Sequence, residues 1–332
     1  MTKGMMAMSN FKPLRVGLIG LGKMGQNHLR VLSMLKTVEL IFVYDTLQDH
    51  MNSCAEKYNV KPSIDLMADL LLVDAVIIAT PTSTHFDYIK IVSDHVKNIF
   101  VEKPLTDSTS TTEEIKKLVE SKKINIQVGF IERYNPAVIE LRKILKHSNR
   151  VLNVDFTRTN KLSNRIQDVD VIIDLMIHDI DLALFLNGDV ENVFAYGTNE
   201  ENMISFASAI IKHKTGVFSR ITASRVTEKR IRQISATCED MYIDCNLLKK
   251  EILINKQSVL QSYEYMSLAS VEEAVNVPTQ EALLSEMICF VNNCLHKKLD
   301  SITPGIHAAL DSIKVAKQIQ YLIKGEKYEM WN

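Results

Sequence analysis

From residue 14 to about residue 128, short β-branched runs alternate with amphipathic stretches. The runs at 14–20, 38–44, 75–79, 99–101 and 124–128 are almost wholly apolar, as strands buried on both faces are. The stretches 24–35, 47–58, 84–94 and 111–121 carry apolar residues at helical spacing. Strands spaced by helices predict βαβ crossovers and a doubly wound parallel sheet. The pattern then changes. A helix is predicted over 135–146 and a long apolar one over 169–187, closed by Gly188. Between 191 and 277 β-rich runs dominate (193–197, 204–212, 217–224, 230–236 and 241–245), with hairpin-like turns at 212–216 and 238–240. Helices over 279–296 and 304–324 end the chain. The fold class expected is α/β followed by α+β. A parallel-sheet domain spans 14–128, and a second domain on a largely antiparallel sheet spans 129–332, its last helix packing back on the first domain. Residues 1–13 read as a disordered leader.

The chain has 332 residues, 46% of them apolar, enough to bury two sizeable cores. Lys plus Arg (39) balances Asp plus Glu (40), which gives no electrostatic reason to expect nucleic acid or an anionic membrane as partner. The longest apolar stretch, 169–186, is interrupted by Asp170, Asp174, His178, Asp179 and Asp181 and is not a membrane span. Five cysteines without CxxC spacing suit free thiols in a reducing cytoplasm.

Gly20-Leu21-Gly22-Lys23-Met24-Gly25 follows the first predicted strand and opens the first predicted helix. The first glycine allows a tight turn, the second lets backbone approach a pyrophosphate, and the third lets helix and strand pack closely. The helix N-terminus offers free N–H groups to phosphate. The motif alone is weak. Its setting, with Asp45 ending the next strand 20 residues after Gly25, makes it a Rossmann dinucleotide fingerprint. A carboxylate at Asp45 accepts ribose hydroxyls and repels a 2′-phosphate, and Thr46 brings no cation, which points to NAD. Residues 79–85 (Ala-Thr-Pro-Thr-Ser-Thr-His) end another strand at the carboxyl edge, where ligands bind. Thr80, Pro81, Thr82 and His85 are expected at the cofactor, and N-capping by Thr82 or Ser83 is a compatible role.

Glu102-Lys103-Pro104 follows the strand at 99–101, which sets Glu102 and Lys103 at the same edge, where both are expected to meet the cofactor. Pro104 holds Lys103 extended, so that its ammonium can donate to a substrate hydroxyl or carbonyl oxygen. A surface lysine before a turn proline is the plain alternative. On the helix at 169–187, Asp174 and His178 are four apart and His178 and Asp181 three apart, on one face among apolar neighbours. Buried charge is costly unless paired or lining a site. A carboxylate one turn from an imidazole orients the ring and raises its proton affinity, as suits a general base acting on an alcohol. A satisfied core histidine and an Asp–His–Asp metal site compete with this reading. No further histidine or cysteine stands near to complete a metal shell, so no metal is expected.

In this order GLGKMG, ATPTSTH, EKP and D-x-x-x-H-D-x-D resemble the glucose–fructose oxidoreductase / inositol dehydrogenase / rhizopine-catabolism (Gfo/Idh/MocA) family across nearly the whole chain. The resemblance implies a sugar or cyclitol dehydrogenase in which Lys103 and His178 face the substrate with Asp174 beside them. It also implies a cis Lys103–Pro104 bond and dimers or tetramers paired through the C-terminal sheets. Many members carry a glycine pair before the Asp, where this chain has Asp168-Val169-Asp170-Val171-Ile172-Ile173. That stretch, with Gly129-Phe130-Ile131-Glu132-Arg133-Tyr134-Asn135-Pro136, resembles the branch containing UDP-N-acetylglucosamine 3-dehydrogenases. Those enzymes make a keto-sugar for transamination in lipid A or surface-glycan synthesis. Arg133 and Asn135 are then candidate substrate contacts.

A nucleotide sugar brings a diphosphate that needs cations. Arg158, Lys161 and Arg165 precede the predicted catalytic helix and are candidates, with a solvated loop as the alternative. Arg225, Lys229, Arg230 and Arg232 form a second basic cluster on a predicted hairpin. Oxidation of a free cyclitol or aldose, and a non-catalytic NAD-binding sensor, are the competing functions.

Overall fold

The computed structural model describes residues 12–161, 169–200, 203–261, 266–296 and 300–325. The leader predicted at 1–13 is outside them up to position 11, and so are Arg165 and Asp168. The chain divides into two units. One takes the residues up to Thr106, Glu114–Gly129 and Glu286–Ile306; the other takes Asp107–Glu113, Phe130–Ser285 and the residues from His307.

In the first unit, β1 (Leu14–Ile19), β2 (Val38–Tyr44), β3 (Lys61–Pro62), β4 (Ala75–Ile78), β5 (Asn98–Glu102) and β6 (Asn125–Gly129) pair in parallel in the order β3-β2-β1-β4-β5-β6. Strand order reverses beside β1, which places the carboxyl ends of β1 and β4 at a topological switch point. Val16, Leu18, Val76, Ile77, Phe100 and Val101 are fully buried, because this sheet is covered on both faces. Helices α1 (Lys23–Ser33), α2 (Gln48–Tyr58), α3 (Leu66–Leu70), α4 (Thr82–Ser93) and α5 (Thr109–Lys122) form the crossovers. Neither β3 nor α3 is predicted. A two-residue strand ending in proline has no period to detect, and it is tolerated because β3 is an edge strand.

The late segment counted with this unit is 286–306, not the final helix. Phe290 meets Phe100 edge-on at 5.6 Å between ring centroids, and Val128 donates its N–H to the Pro304 carbonyl at 2.8 Å.

The second unit opens with a 3-10 turn, Ile131–Tyr134, and α6 (Pro136–His147). Its eight strands are β7 (Val151–Thr159), β8 (Val190–Glu200), β9 (Met203–His213), β10 (Phe218–Ser224), β11 (Ile231–Cys238), β12 (Met241–Asn246), β13 (Glu251–Gln261) and β14 (Met266–Val275). Their order is β14-β13-β12-β11-β7-β10-β9-β8, antiparallel except for the parallel pair β7–β10. The largely antiparallel expectation is met, with one revision. β7, over which no element is predicted, is a central strand inserted between β10 and β11. The connection 225–230 is therefore a crossover at the end of β7 and not a hairpin.

Side chains on the sheet alternate as a half-covered surface requires. Val154, Phe156, Ile221, Ile234 and Ile243 point inward. Helix α6 packs on β12 and β13, and α7 (Ile177–Asn187) packs on β7 and β10. The long helix predicted over 169–187 is not continuous, because a π-helical turn, Ile172–Met176, precedes α7. Helices α8 (Ala282–His296) and α9 (Ile306–Lys324) complete the chain, α9 belonging to the second unit from His307 onward.

Candidate active site

The glycine turn between β1 and α1 needs its glycines. Gly20 has φ +91°, and a Cβ on it would lie 2.7 Å from the Ala79 backbone. A Cβ on Gly25 would collide with the Gly20 carbonyl, so helix and turn close only without a side chain there. Gly22 is the N-cap of α1. It supplies no side-chain cap, and the first turn contains no acidic residue. The N–H groups of that turn are thus left to an anion, and a Cβ at Gly22 would meet nothing within 4 Å.

A cleft of about 430 Å³ opens here, lined by Gly22, Lys23, Met24, Asp45, Thr80 and Pro81 among others. Asp45 is fixed from both sides: Oδ2 accepts the Leu21 N–H at 2.7 Å and Oδ1 the Leu47 N–H at 2.9 Å. A carboxylate held in that way at the end of β2 keeps lone pairs for a ribose diol. These residues fit a dinucleotide with an unphosphorylated ribose. Tyr44, Leu47, Thr84 and Tyr88 also line the cleft. Thr84 lies in the 79–85 segment already placed at this edge; no motif spacing flags Tyr44, Leu47 or Tyr88, since a cleft wall made by helix α4 and the β2 turn is set by tertiary packing.

Three predicted cofactor contacts are placed otherwise. Thr82 is the first residue of α4 and does not line the cleft; the N-cap is Pro81, so the capping role falls away too. His85 is 1% exposed, its ring held between the carbonyls of Thr80 (Nε2, 2.9 Å) and Pro104 (Nδ1, 3.0 Å). It ties two turns of the carboxyl edge together, and burial pushes its pKa down, with the backbone contacts opposing. Glu102 turns inward. Its Oε1 lies 2.7 Å from Nε2 of His28, a fully buried histidine on α1. Lys103 follows at the end of β5, half-buried, and its bond to Pro104 is cis.

In the second unit, Asp174 sits within the π-turn and His178 in the first turn of α7, both half-buried. Asp170 caps the turn, with Oδ1 accepting the N–H groups of Ile172 and Ile173 at 3.0 Å each. Arg225, 4% exposed, donates to Asp174 Oδ2 at 2.8 Å and to the Val169 carbonyl. Asp181 is engaged elsewhere than this pair. It is 1% exposed and receives both Nε (2.8 Å) and Nη2 (2.6 Å) of Arg133.

The cations expected at a diphosphate are mostly committed elsewhere. Arg158, at an inward position of β7 and 2% exposed, donates to Asp179 at 2.8 Å twice and to Glu132 at 2.8 Å. Burial opposes its charge, but the two carboxylates hold its pKa above the ordinary value. Burial likewise works to raise Glu132, which Arg158 and Arg232 nonetheless hold below its usual range, whereas burial pushes Asp179 up. Arg133 is closed by Asp181, and its guanidinium lies 4.5 Å from the Phe185 ring centre. Asn135 caps α6 through Ala137 N–H at 3.1 Å and donates to Glu132 and the Leu247 carbonyl. Neither Arg133, Asn135 nor Arg158 is presented to a ligand by these contacts, because each is built into the core of the unit. Lys161 is exposed and paired with Glu228. Among the described residues no cluster of three or more metal-ligating side chains occurs.

Residues 14–130 match an oxidoreductase family with an NAD-binding Rossmann fold (GFO/IDH/MocA), and residues 147–243 match the C-terminal domain of the same family. Over 286 residues the chain is 30% identical to a UDP-N-acetylglucosamine 3-dehydrogenase of Acidithiobacillus ferrooxidans, covering 84% of this chain and 88% of that protein. The chain belongs to the GFO/IDH/MocA family. The scyllo-inositol 2-dehydrogenase (NAD(+)) of Bacillus subtilis is 28% identical over 232 residues, 64% of this chain and 68% of that one. A solved structure of the Acidithiobacillus enzyme superposes with a TM-score of 0.84 at 26% identity, covering 95% of this chain and 99% of that chain.

As a GFO/IDH/MocA protein, the chain is an NAD-binding oxidoreductase. Family and fold support NAD-dependent dehydrogenase activity on a sugar-type CH–OH group. Among the described residues no helix is long and apolar enough to cross a membrane.

Proposed function

We propose that this protein oxidises a secondary hydroxyl of a sugar to a ketone, that the sugar is a nucleotide sugar, and that UDP-N-acetylglucosamine oxidised at its 3-position is preferred. The observation that carries the reading is the Asp174–His178 pair, one turn apart at a π-turn, a feature frequent at functional sites. It is supported by similarity to the Acidithiobacillus enzyme along most of the chain. NAD, when bound, accepts the hydride from the carbinol carbon. His178 takes the hydroxyl proton, Asp174 orients the ring, and Lys103 donates to the substrate oxygen as it becomes a carbonyl. Gly20, Gly22, Lys23, Met24, Gly25, Asp45, Thr80 and Pro81 hold the dinucleotide.

The test is NAD reduction, followed at 340 nm, across UDP-N-acetylglucosamine, other nucleotide sugars, free aldoses and cyclitols. UDP-N-acetylglucosamine is expected to be the fastest, and His178→Ala to lose ~10²-fold or more in turnover with NAD affinity unchanged. Turnover of a free sugar alone, or full activity of His178→Ala, overturns the reading. One observation favours oxidation of a free cyclitol or aldose instead: Arg133 and Arg158, which a diphosphate would call on, are closed by Asp181, Asp179 and Glu132.

The same proposal extends to setting and assembly. The five cysteines are free thiols, which suits a reducing cytoplasm. The keto-sugar would feed transamination in lipid A or surface-glycan synthesis. A homodimer or homotetramer would form through the outward face of the second sheet, where Phe194, Tyr196, Ile210, Phe218 and Tyr242 are exposed.

A further inference from the structure

Arg225 is the one member of the basic cluster 225–232 that the proposed reaction leaves without a role although it touches the π-turn directly. It leaves β10 at the crossover and is nine-tenths buried or more. Its guanidinium reaches two points of the same short segment, the Val169 carbonyl ahead of the π-turn and the Asp174 carboxylate within it. A π-turn is an irregular, locally weak piece of helix, so a planar fork that ties its middle residue to the chain just ahead of it fixes the direction in which Asp174 points. The grip is also electrostatic, because Arg225 neutralises the charge that Asp174 would otherwise exert on the imidazole one turn later.

The other charges around the turn and α7 are already committed. β7 brings Arg158, closed by Glu132 and Asp179; the 3-10 turn brings Arg133, closed by Asp181. Arg220 of β10 lies on the opposite, exposed face of the sheet, paired with Asp155. Asp170, on the segment itself, accepts from Ile172, Ile173 and Gln320 of α9. Asp174 is the one described carboxylate that Arg225 engages.

We propose that Arg225 is a positioning residue for the Asp174–His178 pair, bracing the π-turn and setting the base strength of His178 by partly neutralising Asp174. This rests on the assignment of Asp174 and His178 to the reaction. The sign follows from the charges. Without Arg225 the Asp174 carboxylate acts on His178 unopposed, the imidazole holds its proton to higher pH, and a base that must be neutral becomes active later.

The experiment compares Arg225→Gln, Arg225→Lys and His178→Ala with the wild type in two readouts. One is NMR titration of the His178 ring in cofactor-free protein; the other is NAD reduction with UDP-N-acetylglucosamine between pH 5 and 9. Arg225→Gln is expected to raise the His178 midpoint by about one pH unit and carry the acid limb of kcat/KM with it. It should lower kcat roughly 10-fold, with the Kd for NAD unchanged. Arg225→Lys keeps the charge but not the two-point fork, so the midpoint should stay while kcat falls several-fold. A folded Arg225→Gln protein with the wild-type midpoint and kcat overturns the inference. If Arg225→Gln does not fold, Arg225→Lys decides, and wild-type kcat in it overturns the bracing role. Full turnover by His178→Ala sinks the functional assignment instead, and the cofactor-free titration then still judges Arg225 on its own.

Discussion

At the scale of single residues, the cofactor cleft rests on a few side chains whose chemistry can be varied one at a time. Asp45 is held by the Leu21 and Leu47 amides and stands where a ribose diol would bind. Asp45→Ala is expected to lower the preference for NAD over NADP at least 10-fold, measured as the ratio of their dissociation constants; an unchanged ratio removes the ribose role. His85 makes a different kind of prediction. Burial favours its neutral form, so its folded pKa lies below the unfolded one. Its stabilising effect is complete above about pH 6.5, the unfolded value. It is lost as pH falls through the interval down to the folded pKa, because there the unfolded chain binds more protons. His213, also pushed down by burial, acts in the same sense. The drop in melting temperature between pH 7.5 and pH 5.5 should therefore shrink, without vanishing, in His85→Gln. An identical drop would show that His85 is not the source. The glycines and Asp45 are legible in sequence because their roles follow from backbone geometry within one βαβ unit. The places of His85 and Glu102 are not. Their partners, Pro104 and His28, are brought to them by the sheet rather than by local spacing.

At the scale of elements, β7 and the π-turn are where the sequence is least informative. β7 carries Arg158 at an inward position, and a charged residue among Val154 and Phe156 breaks the alternation by which a strand is recognised. The structure accommodates it by closing the guanidinium with Asp179 from α7 and Glu132 from the 3-10 turn, which locks three elements together. Deleting one partner leaves a buried charge exposed to its own desolvation cost. Asp179→Ala is therefore expected to lose about 3–5 kcal/mol in urea unfolding. Asp155→Ala breaks the more exposed pair with Arg220 and is expected to cost about 1 kcal/mol or less. Equal losses in the two variants would mean that the Arg158 network is not the clasp described. The π-turn escapes prediction for a simpler reason. An apolar run with Asp at 170 and 174 has the same composition whether its hydrogen bonds span four residues or five, and the contacts that Asp170 and Arg225 make with it are not legible in that run.

At the scale of the whole molecule, the succession of a parallel sheet and a largely antiparallel one is written in the change of pattern, from buried strands spaced by helices up to residue 128 to successive β-rich runs from 191 onward. Which late segment counts with the first unit is not, since 286–306 and the final helix are equally amphipathic. The alternation also leaves large apolar side chains on the other side of the second sheet. Val193, Ala195, Ala209 and Ile211 are buried, while the residues between them, Phe194 (57% exposed) and Ile210 (45%), are directly opposed across β8 and β9. Tyr196 follows on the same face at 83% exposure. A row of large apolar side chains on one sheet face costs solubility unless another surface covers it. A second copy of the same sheet is the self-complementary cover that a twofold axis provides. Ile210→Lys puts a charge in the middle of that row without touching the buried face. Light scattering after gel filtration is expected to show a dimer or tetramer for the wild type and a smaller species for Ile210→Lys, with the melting temperature of the variant independent of concentration. A wild-type monomer at tens of micromolar, or an Ile210→Lys protein of unchanged size, would mean that this face meets something other than its own copy.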